Sequence, residues 1–187
     1  KVCSGTAIFI LLASEDLTRE LYGDAYVSVG NFAPEAFRSA VERAGLAASN
    51  EPTRYAIHGL LFESAGSELL IVATDGRRLH RVSLPNAVEV DDVKCVVPTG
   101  LLKGVCRALD SSERVIVTTN SRQMVVSNGS ALYRMQLLDS RFPDWRAVVP
   151  SSSELKVELE SGPFRSLLSR VGTMASSDMR VVKLAWR

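Results

Sequence analysis

The amino-acid sequence predicts an α+β fold in which one βαβββ unit occurs twice. The predicted elements run as one strand, one helix and three strands, and then the same series again. Part of this series returns near the C-terminal end of the chain as a sequence repeat. Helices that alternate with antiparallel strands in this way usually gather on one face of the sheets. We therefore expect antiparallel sheets on the outside and two neighbouring helices on the inner face.

The internal repeat is the clearest sign of tandem domains. Phe37–Ser49 aligns with Phe164–Ser176, and Phe, Arg, Ser, Arg, Gly, Ala and Ser recur at the same places. A weaker pair, Ser4–Phe9 and Asn128–Tyr133, has nearly the same spacing. Chance could explain the shorter pair alone, but the shared spacing favours duplication. Because the period far exceeds the ~20–50 residues of solenoid repeats, the repeated unit is a whole domain.

The composition is that of an ordinary globular chain. Its 187 residues are 46% hydrophobic and 23% charged. No apolar run reaches the ~18 residues of a transmembrane helix. The net charge of +1 neither favours nor excludes nucleic acid, so DNA contact would require a local cluster of lysine and arginine. Cys3, Cys95 and Cys106 are odd in number and widely spaced, which predicts no disulfide framework and a reducing cytosol.

The first helix is predicted over Pro34–Ala48. Pro34 suits the first turn of a helix, where its missing N–H costs nothing. Phe37, Val41 and Ala44 then form one apolar stripe at helical spacing. The segments predicted around this helix are a hairpin within Lys1–Ala13 that turns at Ser4-Gly5, a linker at Ser14–Tyr22, and strands at Asp24–Val29, Tyr55–Glu63, Glu68–Thr74 and Leu79–Leu84.

The second helix is predicted over Thr99–Leu109. Pro98 ends the preceding strand, and the hydroxyl of Thr99 is expected to cap the helix. Asn128-Gly129 is a strong hairpin signal between two later strands. The strands predicted around and after this helix are Lys94–Val97, Arg114–Thr119, Gln123–Ser127, Ala131–Leu138 and the alternating run Leu155–Leu159, which precedes the repeated helix at Ser161.

Two segments at the ends of predicted strands combine a turn or a proline with basic and apolar side chains. The first runs from Ala73 to Leu79 and reads Ala-Thr-Asp-Gly-Arg-Arg-Leu. Its glycine permits a positive φ, and its aspartate can close an Asx turn. The second, Ser140–Arg146, reads Ser-Arg-Phe-Pro-Asp-Trp-Arg. From the residues alone, the first is a β-turn with a basic flank and the second is a structured linker with Phe142 and Trp145 as core anchors.

Together the two segments resemble the bacterial DNA polymerase III beta subunit, or beta sliding clamp, in which both help to form a pocket for the peptide tails of replication proteins. The resemblance covers essentially the whole chain and implies the DNA clamp fold. It assigns residues 1–22 to the C-terminal end of a first clamp domain, residues 23–148 to a complete middle domain and residues 149–187 to the start of a third. This sequence departs from the family pattern at Ala56, Arg77, Thr99-Gly100 and Ala147, where the family usually has an aromatic residue, His, basic residues and Arg, respectively.

The resemblance also implies two sets of site residues. The peptide pocket comprises Arg54, Ile57, Thr74, Gly76, Arg77, Arg78, Leu79, Pro143 and Val148. The DNA-contacting residues comprise Arg54 and Tyr55 together with the helix residues Arg38, Arg43, Lys103 and Arg107. From the sequence alone, a solvated helix face explains the latter four equally well. In a clamp they would attract phosphates through counterion release, without reading base sequence.

A clamp works by topology and not by catalysis. The resemblance implies a cytoplasmic homodimeric ring that encircles double-stranded DNA. Its protein partners would be the DNA polymerase III catalytic subunit, the clamp loader and other proteins with clamp-binding motifs. It implies no cofactor, no metal and no membrane. Because the ring tethers the polymerase, modest pocket affinity supports processive synthesis through a high effective concentration.

Two other classes of function remain open from the sequence. One is a non-catalytic interaction module unrelated to DNA. The other is a hydrolase built on Asp75, Arg78 and His80, which would need a nucleophile, a base and an orienting group within reach of each other. His58 and His80 are the only histidines, and neither lies in a metal-binding motif, which favours a structural role for both.

Overall fold

The computed structural model of the protein describes residues 2–4, 7–9, 26–49, 57–85, 93–129, 131–152, 156–174 and 182–185. It comprises two compact units, Lys1–Val148 and Val149–Arg187. The division falls where the middle domain is predicted to end, while the assignment of the segments to successive clamp domains stays a prediction. Within the described ranges, no helix is long and apolar enough to cross a membrane.

The described residues of the first unit form ten strands, two α-helices and a short 3₁₀ helix at Trp145–Val148. The helices are α1 (Pro34–Ala44) and α2 (Thr99–Ala108). The strands are β1 (Val2–Ser4), β2 (Ala7–Phe9), β3 (Val27–Phe32), β4 (Gly59–Ala65), β5 (Glu68–Thr74), β6 (Leu79–Pro85), β7 (Lys94–Pro98), β8 (Val115–Thr119), β9 (Gln123–Asn128) and β10 (Ala131–Gln136).

The strand order confirms the doubled βαβββ unit. Strands β1 and β2 form the predicted hairpin, with Ser4 opposite Ala7. The other strands form two antiparallel sheets, ordered β10-β9-β8-β3 and β6-β5-β4-β7. Each sheet therefore contains three consecutive strands of one unit and the first strand of the other unit, because β3 pairs with β8 and β7 pairs with β4.

The two helices lie side by side, as predicted. They contact each other, and α1 also contacts β5 and β6 while α2 contacts β7 and β10. Both helices are shorter than predicted, since α1 ends at Ala44 and α2 at Ala108. The predicted capping role of Thr99 is wrong: its hydroxyl donates to the carbonyl oxygen of His58 at 2.8 Å, and no side chain caps α2. Thr99 thus joins the start of α2 to the turn before β4.

Phe37 lies at the centre of the main core, where its ring is fully buried. Its centroid is 5.8 Å from that of Phe32 on β3 and 6.5 Å from that of Phe62 on β4. One side chain of α1 therefore packs against both sheets. The apolar stripe predicted for α1 is confirmed, because Val41 and Ala44 are buried in the same core. Truncating a buried phenylalanine in such a place typically costs about 3–5 kcal/mol.

Several predicted strand boundaries change because backbone partners decide where a strand ends. Strand β10 stops at Gln136, since the N–H groups of Leu137 and Leu138 donate to the carbonyl oxygens of Arg122 and Val96 and not to β9. The described residues do not include Asp24, Tyr55 or the linker Ser14–Tyr22. The strand predicted to begin at Asp24 is described from Val27, and the strand predicted to begin at Tyr55 is described from Gly59.

In the second unit, α3 spans Ser161–Gly172 and begins where the repeat predicts a helix. The strand predicted over Leu155–Leu159 is wrong for its described part, because residues 156–160 have no regular structure and are exposed. Leu155 itself lies outside the described residues. Alternation of apolar residues is not sufficient for a strand, since a strand also needs a neighbour that accepts its backbone hydrogen bonds.

Candidate functional site

The turn between β5 and β6 is held by hydrogen bonds within its own residues. The buried hydroxyl of Thr74 donates to the carbonyl oxygen of Arg78 at 2.8 Å and accepts from the N–H of Gly76 at 3.1 Å. Gly76 has a φ of 85°, which explains why a glycine stands at this point. The predicted turn is therefore confirmed, and it is closed at its base by a threonine side chain.

Asp75 orders the outer part of this turn. One carboxylate oxygen accepts from the N–H groups of Arg77 and Arg78, each at 3.0 Å, and the other accepts from Nε of Arg78 at 2.9 Å. The backbone donors of Arg77 and Arg78, followed by the guanidinium of Arg78, hold the pKa of Asp75 below its usual value. The turn therefore presents two arginine side chains at the surface on an ordered backbone.

A second apolar cluster places this turn and the Phe142–Trp145 segment on the same sheet. Leu61, Leu70, Val72 and Val96 of β4, β5 and β7 are buried together with Phe142 and Trp145. Leu79, which follows the turn, and Leu138 are partly buried against this cluster. The expected core-anchor role of Phe142 and Trp145 is confirmed.

Two further residues of the predicted pocket, Pro143 and Val148, flank the buried Trp145 in the sequence. Pro143 is half-buried, and Val148, the last residue of the 3₁₀ helix, is 70% exposed. An exposed valine provides apolar surface that a ligand could cover. The structure thus brings Leu79, Pro143 and Val148 into one unit with the ordered turn.

Glu63 of β4 connects the segment Ser140–Arg146 to the sheet. The sequence alone did not identify Glu63 as a functional residue. Its carboxylate accepts from Nε1 of Trp145 at 3.1 Å and, through both oxygens, from Nη1 of Arg146 at 3.0 Å. Nζ of Lys94 lies 3.7 Å away, and the Arg146 guanidinium stacks 4.3 Å from the centre of the Trp145 ring. Burial alone would raise the pKa of Glu63, but these donors and charges lower it below its usual value.

A cleft of about 1080 Å³ lies beside the segment Ser140–Arg146, between β7 and the turn that joins β8 to β9. Pro143, Trp145 and Arg146 line it on one side and Lys94 and Arg122 on another. Of the described pocket residues, only Pro143 lines this cleft. Leu79 is therefore not among the residues that line this cleft.

Ile57, a further residue of the predicted pocket, lies two positions before β4. It lies half-buried in the turn before β4, and its carbonyl oxygen accepts from the N–H of Ser49 at 2.9 Å. It is not part of the second apolar cluster. Arg54 and Tyr55 lie outside the described residues, so their predicted contacts with peptide and DNA stay predictions.

The basic residues of the helices separate into two kinds. Nε and Nη2 of Arg38 donate to the carbonyl oxygens of Cys106 and Leu109 at 2.9 and 3.1 Å, and Nζ of Lys103 donates to that of Gly45 at 3.1 Å. Each side chain thus neutralises the C-terminal end of the neighbouring helix, where carbonyl dipoles favour a positive charge.

Arg43 and Arg107 are instead exposed. Arg38 and Lys103, by contrast, are half-buried and hydrogen-bonded to the neighbouring helix. Contact of any of the four with DNA stays a prediction.

The residues of the hydrolase alternative do not assemble into a catalytic group. Asp75 and Arg78 pair with each other, whereas Nδ1 of His80 lies 2.8 Å from the carbonyl oxygen of Arg43. Because a carbonyl oxygen only accepts, this nitrogen carries the proton and joins β6 to the end of α1. Within the described part of the chain, no group of three His, Cys, Asp or Glu side chains could hold a metal ion.

Comparison with known proteins agrees with this architecture. Residues 31–144 match the family described as DNA polymerase III beta subunit, central domain. The beta sliding clamp of Salmonella typhimurium is 30% identical over 145 residues, which cover 77% of this chain and 40% of that protein, and the Escherichia coli K12 clamp is 28% identical with the same coverage.

Solved structures extend the match to the fold. The crystal structure of the DNA polymerase sliding clamp from Pseudomonas aeruginosa is 25% identical, with a TM-score of 0.75 over 84% of this chain and 44% of that one. The chain spans about 40% of the length of the curated relatives it matches. Because the family match covers more than half of the chain and the clamp fold is shared, the chain belongs to the DNA polymerase III beta subunit family.

Proposed function

We propose that this chain is part of a sliding clamp, a non-catalytic processivity factor that encircles double-stranded DNA and tethers the replicative DNA polymerase. The intact protein would act in the cytoplasm as a homodimeric ring. Its partners would be the DNA polymerase III catalytic subunit, the clamp loader and other proteins that carry a clamp-binding motif. No cofactor or metal takes part in this function.

The observation that carries this proposal is the second apolar cluster, which places Leu79 and Trp145 on one face of one sheet. Exposed apolar surface at Val148 lies in the same unit as the exposed side chains of Arg77 and Arg78. This chemistry suits a short peptide with apolar anchors and an acidic or polar flank. Each buried anchor the size of leucine contributes roughly 1.5–3 kcal/mol, so a few anchors support micromolar binding after ordering costs.

Substitution of the apolar pocket surface tests the peptide site. In a full-length clamp that contains this chain, Leu79→Asp and Val148→Asp should each abolish binding of a synthetic peptide copied from the tail of the polymerase catalytic subunit, measured by calorimetry. Val27→Asp is the matched control, since Val27 is a half-exposed valine on the other sheet. Native peptide affinity in both pocket variants, with folded dimers, would exclude this pocket.

The DNA part of the proposal rests on the exposed helix residues. Arg43 and Arg107 are free of the helix-capping bonds that occupy Arg38 and Lys103, so we propose them as the main phosphate contacts of this face. In the full-length clamp, Arg43→Glu with Arg107→Glu should shorten retention on nicked circular DNA, more at low than at high salt. Arg81→Glu, an exposed arginine on β6, should leave retention unchanged.

A further inference from the structure

We propose that Glu63 is a positioning residue for the peptide pocket: its carboxylate fixes the 3₁₀ helix Trp145–Val148 on β4 and thereby holds Val148 in the direction that a bound peptide requires. The inference rests on the proposed function, because it names what orients one wall of that pocket. Glu63 itself does not touch the peptide. It acts through Trp145 and Arg146, the first two residues of the 3₁₀ helix.

The contacts of Glu63 restrain the rotation of this helix. The buried ring of Trp145 keeps the helix on the sheet, but a ring alone leaves the helix free to turn about it. The Glu63 side chain is only 13% exposed and accepts hydrogen bonds from two consecutive residues of the helix. Bonds between a guanidinium and a carboxylate are charge-assisted and geometrically specific. The stack of Arg146 on the Trp145 ring at 4.3 Å joins the two donors to each other.

The 3₁₀ geometry transmits this restraint to Val148. Side chains three residues apart eclipse each other in a 3₁₀ helix, so Val148 lies in line with Trp145. Trp145 is 6% exposed and bonded to Glu63, whereas Val148 is 70% exposed. Fixing the rotation of the first side chain therefore fixes the direction of the last, and Val148 is held ready without being buried. A surface that is ordered before binding loses less entropy when the peptide arrives.

Glu63→Gln tests the proposal, because it keeps the size of the side chain and removes its charge. The variant is prepared in a full-length clamp carrying Trp186→Phe, so that Trp145 is the only tryptophan of this chain. Glu68→Gln, at an exposed glutamate on β5, is the matched control. We measure peptide affinity by calorimetry, the emission of Trp145, and hydrogen exchange of residues 145–148.

We expect Glu63→Gln to weaken peptide binding about three- to tenfold. Without the Glu63 charge the 3₁₀ helix is less ordered before binding, and the entropy lost when the peptide orders it opposes binding. Trp145 emission should shift to the red and hydrogen exchange of residues 145–148 should become faster, while Glu68→Gln changes none of these readings. Trp145→Phe, which removes the Nε1 donor and keeps a ring, should weaken binding in the same direction.

Two results would overturn the inference in distinguishable ways. If Glu63→Gln accelerates exchange but binds peptide with native affinity, and Val148→Asp still abolishes binding, then the pocket is real and Glu63 does not position it. If Val148→Asp and Leu79→Asp also bind natively, the pocket assignment is wrong and this inference is wrong with it.

Discussion

The two βαβββ halves of the first unit are alike in their helices and different in one turn. Arg38 and Lys103 are each the fifth residue of their helices. Arg38 donates to the carbonyl oxygen of Leu109, which follows α2, and Lys103 donates to that of Gly45, which follows α1. The approach is especially close at Gly45, where an added Cβ would lie 2.6 Å from Cε of Lys103.

The turns that join the last two strands of each half use their polar side chains differently. In the β5–β6 turn, Asp75 bonds only to its own turn and leaves the arginines at the surface. In the β9–β10 turn, the side chain of Asn128 is buried and points inward. Its Oδ1 accepts from the N–H of Asp110, and its Nδ2 donates to the carbonyl oxygens of Asp110 and Glu113 at 3.1 and 2.8 Å.

The difference shows how one fold can use one turn for stability and another turn to expose side chains to a ligand. A turn whose side chain bonds to a distant loop is part of the scaffold and tolerates little change. A turn that satisfies its own polar groups can display side chains without cost to the rest of the fold. We infer that the β5–β6 turn can contribute exposed arginines to a binding surface because this turn is self-contained.

The largest expected effect is that of Asn128→Ala. It removes a side chain that is 3% exposed and leaves backbone groups of Asp110 and Glu113, in the α2–β8 loop, without the partners that this side chain supplies. We expect the free energy of unfolding to fall by about 3 kcal/mol. Denaturant unfolding monitored by circular dichroism measures the change, with Ser121→Ala, at an exposed turn residue, as the control. An effect no larger than that of the control would contradict a scaffold role.

The next effect concerns the reciprocal bonds between the helices. Arg38→Ala should lower the free energy of unfolding by about 1–2 kcal/mol, and Lys103→Ala by about 0.5–1 kcal/mol, because arginine makes two bonds to carbonyl oxygens and lysine makes one. Arg43→Ala and Arg107→Ala are the controls, since these side chains are exposed. An equal fall in the free energy of unfolding for all four variants would contradict the distinction between helix-capping and exposed residues.

Asp75→Ala should weaken peptide binding with little effect on the stability of the fold. We expect peptide affinity in a full-length clamp to fall about three- to tenfold, because Arg77 and Arg78 lose the carboxylate that orders them before binding. The unfolding midpoint should change less than in Asn128→Ala. The variant is compared by calorimetry and denaturant unfolding, and a loss of stability as large as that of Asn128→Ala would show that this turn too is scaffold.

The smallest effect is the acid dependence of stability. The pKa of Asp75 is lowered by the N–H groups of Arg77 and Arg78, and that of Asp110 by the N–H and hydroxyl of Ser112. A carboxylate with a lowered pKa in the folded state contributes stability above its usual value of 3.8, and this contribution is lost as pH falls through the folded pKa. Asp75→Asn and Asp110→Asn should each flatten the unfolding free energy between about pH 5 and pH 2. If the unfolding free energy of both variants depends on pH as it does in the wild type, these two carboxylates are not the origin of the acid dependence.

The order of the elements and the chemistry of the β5–β6 turn could be predicted from the sequence. Apolar spacing at Phe37, Val41 and Ala44 defines the buried face of α1, and every hydrogen bond that orders the turn joins residues no more than four positions apart. Such features depend on local backbone geometry, which neighbouring residues determine by themselves. The resemblance to sliding clamps also depended on these short segments.

Only the tertiary structure decided the long-range hydrogen bonds of four side chains, those of Glu63, Arg38, Lys103 and His80. The two partners in each of these long-range bonds lie between 37 and 83 positions apart in the chain, at sites that no local pattern marks. A charged side chain exchanges water for such a partner only where apolar burial has already brought the two segments together. For this reason the sequence could propose Arg38 and Lys103 as DNA contacts, while packing assigned both to the ends of neighbouring helices.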